Sequence, residues 1–367
     1  MRIVFDCRYT RIGRHDGISR YTAGLVGALA ERHAVTMLIS DHRQLDLLPD
    51  LPWELVTAPT SVREPVVARQ VNRLRPDVVF TPMQTMGSWG RRYRLVLTVH
   101  DLIYYRNRTP PRDLAAPIRL LWRLYHLAWW PQRMLLNRAD AVVTVSQTTK
   151  DLIAEHQLTR RPVHVVSNAA DMPPIPEERL ARRAPETKSL VYMGSFMPYK
   201  NVETLVAAAA LLPDYELHLM SRVTDAQRER LTAIAPAARV VFHDGASDEE
   251  YAETLASATA LVTASRDEGF GIPLVEAMTL GTPVVVSDIP IFREIGGDAA
   301  LFFDPDSAEQ AAARIRHLEE PGVWSARSAA SRAVAARYTW DASAEHLLTV
   351  LTAVHGRAEA ARGRRMR

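Results

Sequence analysis

Short β-branched runs alternate with amphipathic stretches along the whole chain. In the first half the runs are Ile3–Phe5, Val35–Ile39, Asp77–Phe80, Leu95–Val99, Ala141–Val145 and Val163–Val166. A second series follows at Leu190–Met193, Leu217–Met220, Val240–Phe242, Ala260–Ala264, Pro283–Ser287 and Leu301–Phe303. Near-continuous apolar strands separated by helical periodicity predict parallel sheets covered on both faces. Between the two series, Asp171-Met-Pro-Pro-Ile-Pro-Glu-Glu178 breaks the pattern, since proline removes a backbone donor and cannot continue a central strand or a helix interior. The expectation is an α/β chain of two doubly wound domains, residues 1–172 and 173–339, with a last helical stretch, about 340–367, returning to the first. Two such domains are expected to face a central cleft, because open parallel sheets bind ligands beyond the carboxyl ends of their strands.

Composition adds boundaries. With 367 residues and 47% hydrophobic content the chain can bury two cores, and its 24% charged fraction is that of an ordinary globular protein. The single Cys7 excludes a disulfide framework and a thiolate metal cluster. The opening run Met1–Asp6 ends in an acid too soon for a signal segment and reads as a strand. No run reaches the roughly 20 apolar residues a spanning helix needs, so a cytoplasmic location is expected. Net charge is only +3, but it is uneven: from Tyr104 to Arg138 seven arginines oppose Asp113 alone, interleaved with Trp122, Tyr125, Trp129 and Trp130. The twelve histidines show no metal-ligand spacing, and no metal site is expected.

The sharpest chemistry lies at Ser265-Arg-Asp-Glu-Gly-Phe-Gly-Ile-Pro-Leu-Val-Glu276, a strand end, a glycine loop and a helix start. Gly269 and Gly271 permit positive φ and close backbone approach, and Pro273 suits a first helical turn. Such a loop presents backbone N–H groups to an anion, as a diphosphate requires. Glu268 precedes the loop at the strand's carboxyl end, and Glu276 is expected in the helix's first turn. From spacing alone, Glu276 is as readily a favourable N-terminal helix acid, and Glu268 a solvated loop residue.

Glu268 and Glu276, within Glu-Gly-Phe-Gly-Ile-Pro-Leu-Val-Glu-Ala-Met and followed by Gly281-Thr-Pro-Val-Val-Val-Ser287, resemble the signature of glycosyltransferase family four. Glu294-Ile-Gly-Gly-Asp-Ala-Ala-Leu-Phe-Phe-Asp-Pro305 is similar to a further family segment. The resemblance implies the GT-B fold, two Rossmann-like domains facing a cleft, and retaining transfer from a nucleotide-diphosphate sugar without an obligatory metal. Carried onto these residues, it implies that Glu268 stabilises an oxocarbenium-like transition state and Glu276 binds the ribose. The backbone of Gly269, Phe270, Gly271 and Ile272 would hold sugar hydroxyls and diphosphate.

Tyr192-Met-Gly-Ser-Phe-Met-Pro-Tyr-Lys-Asn201 resembles a second family element, in which Lys200 would stabilise the leaving phosphate. Here the chain departs from the family, carrying Ser195 and Tyr199 where an arginine usually stands; Arg222 or Arg266 would supply the missing cation. In the first half, His15-Asp-Gly-Ile-Ser-Arg-Tyr21 makes Gly17 a candidate for close approach to donor phosphate or acceptor. His100-Asp101-Leu102 resembles the family's His-Asp element: His100 would contact the transferred sugar, with Asp101 fixing its tautomer or orientation. Asp101 and Tyr104 are placed on the acceptor side. Ser146 reads as a helix cap, Asn168 as a hinge residue, and Phe242-His-Asp-Gly-Ala-Ser as a nucleobase loop with backbone contact near Ala246.

The activity so implied moves a hexose, mannose favoured, from a nucleotide sugar, GDP-mannose favoured over a UDP-sugar, to a glycolipid, polysaccharide or other glycan hydroxyl, with no further cofactor. A nucleotide-sugar epimerase of the same fold and a non-catalytic nucleotide-sugar-binding protein are the alternatives. A plain NAD dehydrogenase is disfavoured because no Gly-x-Gly-x-x-Gly follows either first strand. No nucleic-acid motif accompanies the basic tail. The basic, aromatic segment suits a lipid-linked acceptor and peripheral contact with an anionic inner membrane face, or equally a packed aromatic core with solvated arginines.

Overall fold

A computed structural model describes residues 1–109, 116–173, 175, 176, 178 and 184–365. Pro174 and Glu177 of the proline-rich break, and Asp113 of the basic segment, lie outside the described residues. The chain divides into two units, Met1–Ala169 with Trp340–Arg367, and Ala170–Thr339.

The first unit holds a seven-stranded parallel sheet in the order β3-β2-β1-β4-β5-β6-β7. Its strands are β1 Ile3–Asp6, β2 Val35–Ile39, β3 Trp53–Leu55, β4 Val78–Thr81, β5 Arg94–Val99, β6 Ala141–Thr144 and β7 Val163–Val165. Every residue of β1, β4 and β6 is buried, which is why these strands read as unbroken apolar runs. In the centre Phe5 pairs with Met37 on one side and Phe80 on the other, and the Phe5 and Phe80 rings meet at 4.8 Å. Strand β3 was not expected. It is three exposed residues at the sheet edge, too short to show a period.

The C-terminal helix Trp340–Arg365 belongs to this unit and packs along the helix Gly17–Ala30. Gly24 makes the close approach possible, since a Cβ there would fall within the Trp340 indole. Tyr21 meets the same indole edge-on at 6.0 Å, Ser343 Oγ donates to Ser167 O at 2.8 Å, and Leu347 and Leu351 are fully buried.

The second unit holds a six-stranded parallel sheet, β10-β9-β8-β11-β12-β13. Its strands are β8 Ser189–Tyr192, β9 Glu216–Leu219, β10 Val240–Phe242, β11 Ala260–Thr263, β12 Val284–Ser287 and β13 Leu301–Phe303. Leu190 lies beside Leu217, and Leu261 beside Val284. Leu190, Leu217, Leu219, Val262, Val285 and Trp324 form its core, and the Trp324 indole N–H is satisfied by Thr259 O at 2.9 Å. All twelve expected runs contain a strand, displaced by one residue at most.

Both sheets reverse their order at an inner pair, β1 and β4 in the first, β8 and β11 in the second. At such a switch point the following loops part to opposite faces and open a crevice at the carboxyl ends. In the second unit the loops concerned carry Gly194–Asn201 and Ser265–Gly271, tied together by Arg266 N–H donating to Tyr199 O at 2.8 Å.

Candidate functional site

The loop after β8 is shaped by its own strand. Tyr192, buried in β8, turns its hydroxyl back to donate to Ser195 O at 2.7 Å, while Gly194 N–H donates to Ser221 Oγ at 3.1 Å. A Cβ on Gly194 would come within 2.7 Å of the Tyr192 hydroxyl, so only glycine fits under it. Pro198–Lys200 then forms a single tight helical turn, and Asn201 takes a left-handed φ of 52° before the helix Val202–Ala210. That kink is held by Asn201 Nδ2 donating to Pro305 O at 2.6 Å.

Lys200, thus placed, donates through Nζ to Glu268 Oε1, and each side chain is only 15% exposed. Ser265 Oγ donates to the same carboxylate oxygen at 3.1 Å, and the Tyr199 ring centroid lies 5.5 Å from Nζ. Ser265 is itself buried, sharing a hydrogen bond with Thr263 Oγ1 at 3.1 Å. Ser265 and Tyr192 open the two motifs read from the sequence but had no role there, because each acts through a contact that the turns of the chain create.

The loop after β11 ends at Gly271, whose φ of 92° disfavours any side chain, and a Cβ there would press on Phe292 at 3.0 Å. The helix Ile272–Thr279 that follows has proline in its first turn and no side-chain cap, an arrangement that suits an anion. Phe270 differs from a ligand-facing residue: its ring is buried and edge-on to Tyr338 at 5.6 Å, so only its backbone faces the loop. Glu276 is the fifth residue of the helix, just past the first turn in which it was expected. It is 5% exposed, and Tyr251 Oη donates to its Oε2 at 3.1 Å.

Of the two arginines considered for the missing cation, Arg266 is committed to Asp306, with Nε at 3.0 Å from Oδ1. Arg222 makes no hydrogen bond or ion pair with the described residues and lies across Gly245, where a Cβ would meet its Cγ at 2.6 Å. Ser195, one of the two positions where the resemblance leads one to expect an arginine, is exposed. In the loop expected to frame the nucleobase, Asp244 has a left-handed φ of 56° and its carboxylate pairs with Arg228 at 2.5 Å. The Ala246 N–H donates to Met220 O at 3.0 Å and closes the turn, which leaves the neighbouring carbonyls for the backbone contact expected near this residue.

In the first unit Gly17 opens its helix at an exposed position, and Asp16 caps it by accepting from Ser19 N–H at 2.8 Å. His100 lies edge-on to Tyr21 at 5.0 Å, and burial lowers its pKa below the ordinary histidine value. Its Nε2 lies 2.7 Å from Pro82 O, so a neutral ring donates there and keeps Nδ1 as an acceptor. The tautomer is therefore set by Pro82 and not by Asp101, whose carboxylate accepts from Ile103 N–H at 3.0 Å and holds the turn Ile103–Arg106. Tyr104 packs edge-on against Trp122 at 5.0 Å. Ser146 caps the helix Gln147–Glu155 through Thr149 N–H, and the buried Asn168 Oδ1 has no partner among the described residues.

The basic segment has two faces. Tyr105 stacks on Trp129 at 3.9 Å, Trp129 on His156 at 4.3 Å, and Trp122 lies 4.0 Å from His126, so most of its aromatics pack together. Exposed apolar surface comes chiefly from Ile118, Leu120, Leu121, Leu124 and Leu127, with Trp130, beside exposed Arg119, Arg123 and Arg133. Among the described residues no helix is long and apolar enough to cross a membrane, and no three His, Cys, Asp or Glu side chains are grouped to hold a metal ion.

Comparison with known proteins gives these two units a lineage. Residues 15–172 match the family model Glycosyltransferase Family 4, and residues 176–351 match Glycosyl transferases group 1. An O-antigen chain mannosyltransferase of Salmonella typhimurium is 26% identical over 326 residues, covering 85% of this chain and 90% of that one. A phosphatidyl-myo-inositol mannosyltransferase of Propionibacterium freudenreichii is 27% identical over 384 residues, covering 96% and 95%. Among solved structures, a sucrose-phosphate synthase from Thermosynechococcus elongatus superposes with a TM-score of 0.73 at 19% identity, over 97% of this chain and 100% of that one, which shows the shared GT-B fold. With both units matched along nearly their whole length, the chain belongs to glycosyltransferase family four.

Proposed function

We propose that this glycosyltransferase moves a hexose, mannose in the first instance, from a nucleoside-diphosphate sugar to a hydroxyl of a glycolipid or polysaccharide, with retention of anomeric configuration and without a metal. The observation that carries this reading is the Lys200–Glu268 pair beside the uncapped helix Ile272–Thr279, all at one switch point. A cation and backbone N–H groups suit a departing diphosphate, and a carboxylate suits the sugar cation left behind. Arg222 would complete the diphosphate contacts, and Glu276 would accept from the ribose hydroxyls. His100 Nδ1 would accept from a sugar hydroxyl. Attack on the face from which the nucleotide leaves needs no protein base, since the leaving phosphate takes the acceptor's proton.

The mannosyltransferase names of both relatives support the sugar, and on that ground GDP-mannose is the first donor to try. The exposed leucines and arginines of 118–133 support peripheral contact with an anionic lipid surface at the cytoplasmic face. The test is a product assay with GDP-mannose, UDP-glucose and dTDP-glucose against a lipid-extract acceptor, with the anomer read by NMR. An α-mannoside from GDP-mannose is expected. Transfer from the UDP donor alone would overturn the donor, and an inverted product would overturn retention. Failure to sediment with phosphatidylglycerol vesicles would overturn the membrane contact.

A further inference from the structure

The helix Asp248–Ser257 starts directly after the Gly245–Ala246 turn, whose two N–H groups both donate to Met220 O. Ser247 caps that helix, accepting from Glu250 N–H at 3.1 Å, so turn and helix form one continuous hydrogen-bonded piece. One residue on, Tyr251 points inward, 4% exposed, and donates its hydroxyl to Glu276 Oε2 at 3.1 Å. The two are 25 residues apart and come from different helices.

An acid buried to this degree keeps a defined rotamer only if something holds it. It could otherwise turn away from a ligand hydroxyl, and a phenol that occupies one oxygen removes that freedom. We infer that Tyr251 is a positioning residue for donor recognition, fixing the Glu276 carboxylate so that it accepts from the ribose hydroxyls of a nucleoside diphosphate. Since Tyr251 rides on the piece that begins at Gly245–Ala246, it also couples the loop on the base side to the acid on the ribose side. This inference rests on the ribose role of Glu276 given under the proposed function.

The test uses the full chain and calorimetric titration with GDP and with 2′,3′-dideoxy-GDP, repeated with the UDP pair. The wild type should prefer the ribonucleotide. Tyr251→Phe should lose about five- to ten-fold in ribonucleotide affinity, the worth of one hydrogen bond, with dideoxy affinity unchanged. In turnover the same loss should appear in the donor KM, with kcat held. Tyr251→Met, which fills a similar volume without a donor and leaves Glu276 intact, should show the same selective loss if Tyr251→Phe folds poorly. Loss of preference in Glu276→Ala, with full preference kept in Tyr251→Phe, would overturn the positioning role alone. Preference kept in Glu276→Ala, which removes every polar atom of the side chain, would overturn the ribose reading itself. A merely structural tyrosine would lower affinity for both nucleotides equally, which also overturns the inference.

Discussion

Lys200 and Glu268, 68 residues apart in sequence, neutralise each other at the switch point of the second sheet. Neither charge is well solvated, so removing one leaves the other short of a partner, which is more costly than losing a surface pair. The donor reading asks both groups to exchange this contact for ligand contacts, the cation for phosphate and the acid for the sugar. Lys200→Ala and Glu268→Gln should each lower kcat by about a hundred-fold or more, the cost of one preorganised electrostatic group. Nucleotide release in the presence of acceptor, with circular dichroism confirming the fold, measures it; activity within a few-fold of wild type would remove either residue from the mechanism.

Arg222 and Arg266 should separate cleanly. Because Arg266 is held by Asp306 while Arg222 makes no hydrogen bond or ion pair with the described residues, Arg222→Ala should weaken nucleoside-diphosphate binding by about ten-fold, with Arg266→Ala nearly silent. Titration with GDP and UDP at fixed ionic strength decides it. Equal losses would mean that Arg266 shares the role, and undiminished binding in Arg222→Ala would mean that Arg222 does not supply the cation expected near Ser195 and Tyr199.

Gly24 offers a test of how the C-terminal helix is held. A methyl group there collides with Trp340, and overpacking of this kind costs about 1–3 kcal/mol. Gly24→Ala should therefore lower the first unit's unfolding midpoint by several degrees, roughly 2–4 °C per kcal/mol at this size. Shrinking the neighbour in a Gly24→Ala, Trp340→Leu double variant should cost less than the sum of the singles. Strict additivity would show that the two residues do not share this contact.

For His100 the sign of a pH effect follows from burial. Its pKa is lowered in the fold, so between that value and the ordinary one near 6.5 the unfolded chain binds the extra proton. Its contribution to stability is complete above the ordinary value and is lost as pH falls through the lowered one. His126, His164 and His218 are lowered too, so the measurement is a difference. Wild type should lose stability faster than His100→Asn as pH is taken from 7 to about 5. Parallel curves would mean His100 is not buried neutral.

Strand positions and the glycine loop were legible because they are written locally. A strand buried on both faces must be apolar throughout, and Gly271 must be glycine because its φ is positive and Phe292 leaves no room. Family likeness likewise rests on side chains at short spacing, so Glu268, Glu276 and Lys200 could be picked out with no knowledge of their surroundings. Strand β3 escaped notice because three exposed residues carry no period.

Partners were another matter. That Lys200 meets Glu268, that Arg266 is spent on Asp306, that Pro82 and not Asp101 fixes the His100 tautomer, and that Tyr251 reaches Glu276 all depend on strand order, register and the hand of each turn. These contacts join residues from 18 to 68 positions apart, over distances where local propensity carries no information. Sequence alone settled twelve of the thirteen described strands and the family to which the chain belongs. Tertiary packing decided which charges face each other, because a hydrogen bond is set to within a fraction of an ångström by the whole sheet beneath it.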